Sequence, residues 1–383
     1  MKNVSIIFLK RFFIVIILIT YSLSIFSQNS FTYTKPKSSF LIYNKKRDNI
    51  SYLESKATKV DNYLPNNFDK QGKYDYTKFV QKAIDENEII IFPNFPILIN
   101  DTGLILKSNQ KLIFQDNSKI MLKSSSKSSY AIILIQDVSN IELYYPQIIG
   151  DRQTHLNNVG EWGMGIRITG SKNIKVFNPL IQKCWGDGIY ISGSTKLNSS
   201  NITITNPVLD YNRRNGITIV SGKDISIRNA VISNTYGKSP MSGIDIEPNN
   251  DKADISNISI SNYKSINNII SGLQIGISNL QGDFDKSINI NVNDIYTENS
   301  QSGIVVGGLY LKNTAGKISG EIKITNAKII GSKLPIKLGR NYKNGPIVKF
   351  DNVVFNKTSG DIDEIEFKKF KYRATSRENI NIK

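Results

Sequence analysis

Cysteine and histidine are nearly absent from this chain of 383 residues, which has one of each, Cys184 and His155. One cysteine excludes a disulfide framework within the chain and a cysteine-based zinc cluster. One histidine excludes metal sites built from several histidine ligands. Charged residues make up only 21% of the chain, fewer than a coiled coil or a long helical protein carries. The hydrophobic share of 39% still supports a large core, so wholesale disorder is excluded as well.

The first 27 residues have the order of a secretory signal. A basic start with Lys2, Lys10 and Arg11 precedes the apolar run 12–19, and the segment ends in the small residue Ser27. The apolar run is too short to span a bilayer comfortably. We therefore expect cleavage after residue 27, a secreted or periplasmic protein, and no stable membrane insertion. An uncleaved N-terminal membrane anchor is the alternative.

The net charge is strongly positive, with 49 Lys and Arg against 32 Asp and Glu, or +17. Loss of the three cations in the signal segment would leave about +14. A basic exported protein attracts polyanions, and an acidic polysaccharide is the partner we expect. The positive charge is spread along the chain and no nucleic-acid-binding motif is present, so nucleic acid is not expected. The alternative is a compositional bias, because Lys, Asn and Ile are all abundant.

Internal repetition is the strongest signal in the sequence. A segment of the form Gly-apolar-x-apolar recurs about every 28 residues, and a second alternating segment recurs between its copies. Alternation of apolar and polar residues over four to six positions indicates half-buried strands. The first segment occupies 165–168, 188–191, 216–219, 243–246, 272–275 and 303–306, with a weak copy at 335–338. The second occupies 111–114, 140–143, 173–176, 201–204, 224–227, 257–260, 287–290, 321–324 and 351–354.

Strands that repeat at one spacing with the same residue types predict a solenoid in which equivalent strands stack in parallel. We predict an all-β fold, a right-handed parallel β-helix of about nine to ten coils over residues 61–360, in preference to a β-sandwich. Apolar residues at helical spacing within 74–88 predict an N-terminal capping helix. Residues 28–60 are expected to be a linker or a loose N-terminal segment, and 361–383 a C-terminal cover or tail.

Two sets of residues resemble the pectate-lyase superfamily of β-helix proteins. The entry region has Asp-Tyr-Thr at 75–77, Gln-Lys-Ala-Ile-Asp at 81–85, Ile-Phe-Pro at 91–93 and Pro-Ile-Leu-Ile at 96–99. Residues 150–249 resemble a pectate-lyase-like or tailspike-like subgroup. The resemblance implies the fold, but the superfamily includes lyases, hydrolases, epimerases and phage tailspikes, so it implies no single reaction. A homotrimer, as in tailspike relatives, is one possible assembly.

Outward positions on three consecutive coils carry the candidate catalytic side chains. If the repeats are in register, acids and arginines that are distant in sequence form one patch. Asp245 and Glu247 point to the same side of one strand, about 6.5–7 Å apart on strand geometry. The candidate catalytic residues are Asp187, Tyr190, Arg213, Arg214, Asp245 and Glu247, with His155 in a long loop.

Two reactions suit this patch. A lyase needs a cation to neutralise a uronate, for which Arg213 or Arg214 is available, and a base, either Tyr190 or His155. A glycoside hydrolase needs paired carboxylates. We expect a polysaccharide lyase that cleaves an acidic, uronate-containing polysaccharide. The alternatives are a glycoside hydrolase and a non-catalytic glycan-binding or structural β-helix.

Aromatic and charged side chains beside the patch are expected to bind the substrate. For the two tryptophans the alternative is a structural role as plugs of the turn corners. The sequence requires no metal site or cofactor, although the acid cluster offers ligands for Ca²⁺. The expected substrate-binding residues are Arg152, Glu161, Trp162, Arg167, Trp185 and Gln274.

Overall fold

The computed structural model describes residues 31–42, 48–307, 315–339 and 345–383. The expected signal segment, residues 1–27, lies outside the described residues. The chain divides into two compact units, Met1–Tyr33 and Thr34–Lys383. Only residues 31–33 of the first unit are described, and everything below concerns the second. None of the described helices is long and apolar enough to cross a membrane.

The described ranges contain many short strands and few helices. The α-helices are α1 (Ser51–Lys56), α2 (Thr77–Glu86) and α3 (Glu364–Thr375), and 3₁₀ turns lie at Ser38–Leu41, Val60–Tyr63 and Ser278–Leu280. The strands are β1 (Thr58–Lys59), β2 (Ile89–Phe92), β3 (Pro96–Ile99), β4 (Leu104–Ile105), β5 (Lys111–Phe114), β6 (Lys119–Leu122), β7 (Ser129–Gln136), β8 (Ser139–Tyr144), β9 (Gln147–Ile149), β10 (Trp162–Thr169), β11 (Lys172–Phe177), β12 (Leu180–Gln182), β13 (Ile189–Ser192), β14 (Ser199–Thr205), β15 (Val208–Asp210), β16 (Ile217–Ile219), β17 (Gly222–Arg228), β18 (Val231–Ser233), β19 (Ser242–Ile246), β20 (Ile255–Ile266), β21 (Ser271–Gly276), β22 (Lys286–Glu298), β23 (Ser302–Gly307), β24 (Ile318–Ile330), β25 (Leu334–Leu338), β26 (Ile347–Asn356) and β27 (Ile380–Ile382).

These strands form two parallel sheets. The first, called here the front sheet, contains in the described residues β4, β7, β10, β13, β16, β19, β21, β23 and β25 in stacking order. The second sheet bends into two faces, because β20 begins as the neighbour of β17 and continues as the neighbour of β18. Each coil thus contributes one strand to each of three faces. The prediction of an all-β parallel β-helix of about ten coils is confirmed.

The third strand of each coil is absent from the two-strand repeat that the sequence suggested. It is short: β9, β12, β15 and β18 have three residues each. A proline begins or immediately precedes the segment in several coils, at Pro146, Pro179 and Pro207. Three residues are too few to show the alternation that marks a strand. The recurring proline was therefore the feature of the sequence that could have indicated the third strand.

The interior is a set of stacked aliphatic columns. Ile174 pairs with Ile202, Ile202 with Ile225, and Ile225 with Ile258, and all four are buried. Burying each such side chain stabilises the fold by about 1.5–3 kcal/mol. Because consecutive coils place isoleucine at the same position, one continuous core runs through the stack.

Asparagines turn the corners between faces. Asn140, Asn173 and Asn201 all have φ between 53° and 60°, the left-handed region that asparagine tolerates. The side-chain amide of Asn173 donates to that of Asn140 at 2.9 Å, and Asn201 donates to Asn173 at 2.8 Å. The same residue therefore supplies both the turn conformation and a hydrogen-bonded ladder along the stack.

Described residues on both sides of the repeats contact the β-helix. Within the expected N-terminal segment, Thr34 exchanges two hydrogen bonds with Asn234, and Phe40 packs against the Val208 and Val231 cluster. Strand β1 pairs with β2. At the other end Phe370 of α3 meets the ring of Phe350 edge-on at 5.3 Å, and β27 pairs with β26.

Gly103 gives a test of the turn geometry. Its φ is +70°, and a Cβ there would overlap the carbonyl oxygen of Ala131. We expect Gly103→Ala to lower the free energy of unfolding by about 3 kcal/mol, since strain and overlap act together. Gly276→Ala is the matched control, because nothing lies within 4 Å of a Cβ there. The free energy of unfolding of both variants is measured by urea denaturation. Equal losses of free energy in the two variants would contradict this account of the turn.

Candidate active site on the front sheet

One outward column of the front sheet carries polar side chains on consecutive coils. Arg167 pairs with Tyr190, Tyr190 with Thr218, Thr218 with Asp245, and Asp245 with Gln274. This is the column that the repeat predicted. Neighbours in it are separated by the strand spacing of about 4.8 Å. Residues nearly 30 positions apart in sequence are therefore brought side by side.

Asp187 lies at the centre of the polar cluster, in the turn that leads into β13. It is fully buried, and its Oδ2 accepts hydrogen bonds from Arg214 at 2.9 Å and from the Thr218 hydroxyl at 2.8 Å. Its Oδ1 accepts from the backbone N–H of Asn215 at 3.0 Å. Burial raises the pKa of Asp187, and the Arg214 charge opposes that shift.

Asp245, on β19, is the second buried acid. Its Oδ2 accepts from the Asn215 side chain at 3.2 Å, while its Oδ1 is buried without a hydrogen-bond partner among the described residues. Burial and the charge of Glu247 raise the pKa of Asp245 well above its ordinary value, against the pull of Arg214. Both effects favour the protonated form of this carboxyl. Glu247, just beyond the end of β19, is only half-buried.

Asn215 and Thr218 connect the two acids, and the sequence interpretation did not select either. The Asn215 side-chain amide donates to Thr218 Oγ1 at 2.9 Å as well as to Asp245. Its Oδ1 accepts from the backbone N–H of Ser242 at 2.9 Å. A single asparagine thus fixes the relative position of Asp187 and Asp245. Thr218 belongs to the predicted column, so its position could be predicted from the sequence, whereas its hydrogen bond to Asp187 could not.

An open groove of about 830 Å³ adjoins the cluster at Tyr190. Its floor is the front sheet, with Arg167, Tyr190 and Ser192, and the loops 193–198 and 249–253 form its walls. Burial raises the pKa of the Tyr190 phenol, and the Asp187 charge adds to the shift. The groove crosses several consecutive coils and so runs along the stack.

Arg213, His155 and Trp185 form a separate cluster. Trp185 is buried, and the His155 ring stacks on it at 3.9 Å between centroids. The Arg213 guanidinium lies 3.6 Å from the Trp185 ring and donates to the carbonyl of Gly160 at 3.0 Å. His155 Nδ1 is 2.8 Å from Asp151 Oδ2, and its side chain is not exposed. Of the neighbouring arginines, only Arg214 contacts the acid pair.

The remaining expected substrate-binding residues are dispersed. Arg152 stacks over Tyr211 at 3.8 Å, and burial lowers its pKa to about 10. Glu161 forms an ion pair with Lys238 at 3.4 Å. Trp162 is 48% exposed beside the cluster of His155, Trp185 and Arg213, while Gln274 follows Asp245 in the column.

In the part of the chain that the structure describes, the acid cluster does not have the donor set of a metal site. Within the described ranges no three Asp, Glu, His or Cys side chains converge as a metal site would require. The chemistry that the cluster itself offers is proton transfer, with a buried acid whose pKa is raised, a half-buried second acid and an arginine within one patch.

Comparison with known proteins agrees with this architecture. The family model for a right-handed β-helix region matches residues 83–250. The chain is a right-handed parallel β-helix. The resemblance to β-helix proteins of the pectate-lyase type is confirmed for the fold, and handedness follows from that of the similar structures.

Several solved structures share the fold. A polygalacturonase from Erwinia carotovora ssp. carotovora is 13% identical, with a TM-score of 0.55 over 82% of this chain and 95% of that one. The A-module of the mannuronan C-5 epimerase AlgE4 from Azotobacter vinelandii is 13% identical, with a TM-score of 0.53 over 79% and 89%. A sulfated-galactan galactohydrolase is 12% identical, with a TM-score of 0.59 over 86% and 96%. Identities this low establish the fold alone.

One curated relative matches by sequence. The SPbeta prophage-derived uncharacterized protein YorA of Bacillus subtilis (strain 168) is 29% identical over 103 residues. The match covers 25% of this chain and 18% of that protein. It is thus confined to a small part of both chains.

The buried Asp187–Arg214 pair is testable by a double-mutant cycle. Arg214→Met leaves Asp187 buried without its counter-charge, so we expect a loss of about 3–5 kcal/mol in the free energy of unfolding. Asp187→Asn in the same background should recover most of it. The exposed Lys82–Glu86 pair is the control, and Lys82→Met should cost less than about 1 kcal/mol. Additive effects of the two site substitutions would show that the pair is not coupled.

Proposed function

We propose that the protein hydrolyses glycosidic bonds of an acidic polysaccharide, with Asp245 as the proton donor and Glu247 as the ionised carboxylate. The observation that carries the proposal is the Asp245 carboxyl, buried beside Glu247 with its Oδ1 free of partners among the described residues. Glycoside hydrolysis requires one protonated and one ionised carboxyl group. The hydrolytic alternative is thereby preferred to the lyase that the sequence favoured.

The two carboxyl groups differ in surroundings, which supports different roles. Asp245 is fully buried, and desolvation together with the nearby Glu247 charge raises its pKa, which favours a proton-donor role. Glu247 is half-buried and therefore more accessible to water or a sugar. Environments that separate two carboxyl groups into acid and base are the usual arrangement for such chemistry.

Neither base that the sequence offered for elimination, Tyr190 or His155, suits that role. The raised pKa of Tyr190 keeps its phenol protonated at neutral pH, so it is a poor proton acceptor. His155, the other expected base, is enclosed by Asp151 and Trp185, apart from the acid pair. Arg214 is already paired with Asp187, and Arg213 with Trp185, so neither is free to neutralise a uronate.

A polymeric sugar substrate is supported by the groove and by the similar folds. The groove extends over several coils, as a chain molecule requires. The similar structures are named as a polygalacturonase, a mannuronan epimerase and a galactohydrolase. The net charge of +17 favours an acidic polymer. Export through residues 1–27 belongs to the same proposal, since such polymers are met outside the cell.

Replacement of the proton donor tests the reaction. Asp245→Asn should reduce turnover of an acidic polysaccharide by about 10²–10⁴-fold, the usual contribution of general acid catalysis. Asp224→Asn is the control, because Asp224 is exposed on another face and only accepts a ladder hydrogen bond from Asn257. New reducing ends are measured together with absorbance in the ultraviolet band of unsaturated uronates. Reducing ends accompanied by that absorbance would establish a lyase. If no polysaccharide of a broad panel gave a product, the protein would be a glycan-binding protein rather than an enzyme.

Stability against pH tests the protonation of Asp245 independently. Its ordinary pKa is 3.8, and its folded pKa is higher. The unfolded chain therefore ionises first, and the stabilising contribution of the neutral carboxyl is lost as pH rises above about 4. We expect the stability of Asp245→Asn relative to the native protein to increase as pH rises above about 4. In urea denaturation Asp224→Asn should show no such trend, and a pH-independent difference for Asp245→Asn would refute the assignment.

A further inference from the structure

The groove beside the acid cluster is lined by more cations than anions. Arg167, Lys196 and Lys252 line it, against one acid, Asp137. In the described part of the chain none of these three cations forms an ion pair with a carboxylate. The groove is therefore electropositive, with a surplus that its own residues do not neutralise.

Arg167 is the cation on the floor of this groove. It is half-buried, and its Nε donates to Thr169 Oγ1 at 3.3 Å. No other hydrogen bond of its guanidinium occurs within the described ranges. A partly buried charge without a counter-ion is unfavourable unless a ligand supplies one. The planar guanidinium, held at Nε, presents its two terminal nitrogens as a fork that fits a carboxylate or sulfate.

The position of Arg167 relative to the acids sets its role. Arg167 and Asp245 belong to one column and are three coil steps apart, through Tyr190 and Thr218. At about 4.8 Å for each step, the separation along the stack is about 14 Å. A group held by Arg167 therefore belongs to a sugar unit some distance from the bond that Asp245 would protonate.

We propose that Arg167 forms an oxyanion-binding subsite that recognises a carboxylate or sulfate group on a remote sugar unit of the substrate. This inference rests on the proposed function for the identity of the polymer, but its evidence is the unpaired guanidinium in the groove. We expect this contact to stabilise the bound ground state and the transition state equally, because it involves a group that does not change in the reaction. Its loss should raise KM and leave kcat nearly unchanged.

The test compares two arginines with the same local contact. Arg228 donates through Nε to Ser226 Oγ at 3.0 Å, on a different face and outside the groove. Arg167→Gln and Arg228→Gln thus remove the same charge and the same kind of Nε–hydroxyl contact, from a half-buried position in the groove and from an exposed position outside it. Binding is measured by calorimetry in the Asp245→Asn background, with oligogalacturonates, their carboxyl-reduced forms and sulfated galactan oligosaccharides. Comparison of the two acidic probes distinguishes carboxylate from sulfate.

We expect Arg167→Gln to weaken binding of the preferred acidic oligosaccharide by about tenfold or more, as loss of a charged hydrogen bond does. Arg228→Gln should bind within about twofold of the parent, and the carboxyl-reduced probe should not distinguish the variants. Equal affinities of the parent and Arg167→Gln for the acidic probes would overturn the subsite, and so would failure of the parent to bind any of them.

The same experiment separates this inference from the proposed reaction. If acidic oligosaccharides bind through Arg167 while the native protein releases no reducing ends, the subsite stands and hydrolysis fails. If reducing ends appear while Arg167→Gln has native affinity and native KM, hydrolysis stands and the subsite is refuted.

Discussion

In-register pairing of parallel strands is the constraint on which the site depends. Thr218 pairs with Asp245, and Tyr190 with Thr218, only because each coil returns to the front sheet at the same position. A shift of one residue in any coil would turn its outward side chains into the core. The buried isoleucines at alternate positions oppose such a shift, since it would expose them and bury acids. The hydrophobic pattern thus specifies the geometry of the polar column.

The acid cluster lowers the stability of the fold, because the same register places two carboxyl groups in buried positions. Asp187 and Asp245 are fully buried, and burial of carboxyl groups is unfavourable unless they are paired or protonated. The structure applies both remedies: Asp187 receives Arg214 and two further donors, whereas Asp245 has, among the described residues, only the neutral Asn215 and Gln274 side chains beside a like charge. The unequal treatment is a reason to assign function to Asp245, because a purely structural acid would be satisfied as Asp187 is.

The parts of the fold that could be predicted from the sequence are those with a regular repeat of apolar residues. The front-sheet strands and the column from Arg167 to Gln274 follow from two-residue alternation repeated at one spacing. The prediction was incomplete in the turns and loops, which have no period. Arg213 and Arg214 are adjacent in a turn, and nothing in their order shows that one contacts Trp185 and the other Asp187. Asn215 resembles the many asparagines that only form corners, so its contacts with both acids became visible in three dimensions alone.

The coil arrangement also separates recognition from chemistry. Arg167 lies on β10 and Asp245 on β19, and each strand is supported by its own turns and its own core residues. Contacts in a stacked solenoid are made chiefly between neighbouring coils, so a change on β10 need not disturb β19. A groove along such a stack can therefore change the substituent it recognises without changing the acids that react. The charge of the groove and the environment of the acid pair are for that reason independent lines of evidence about the protein.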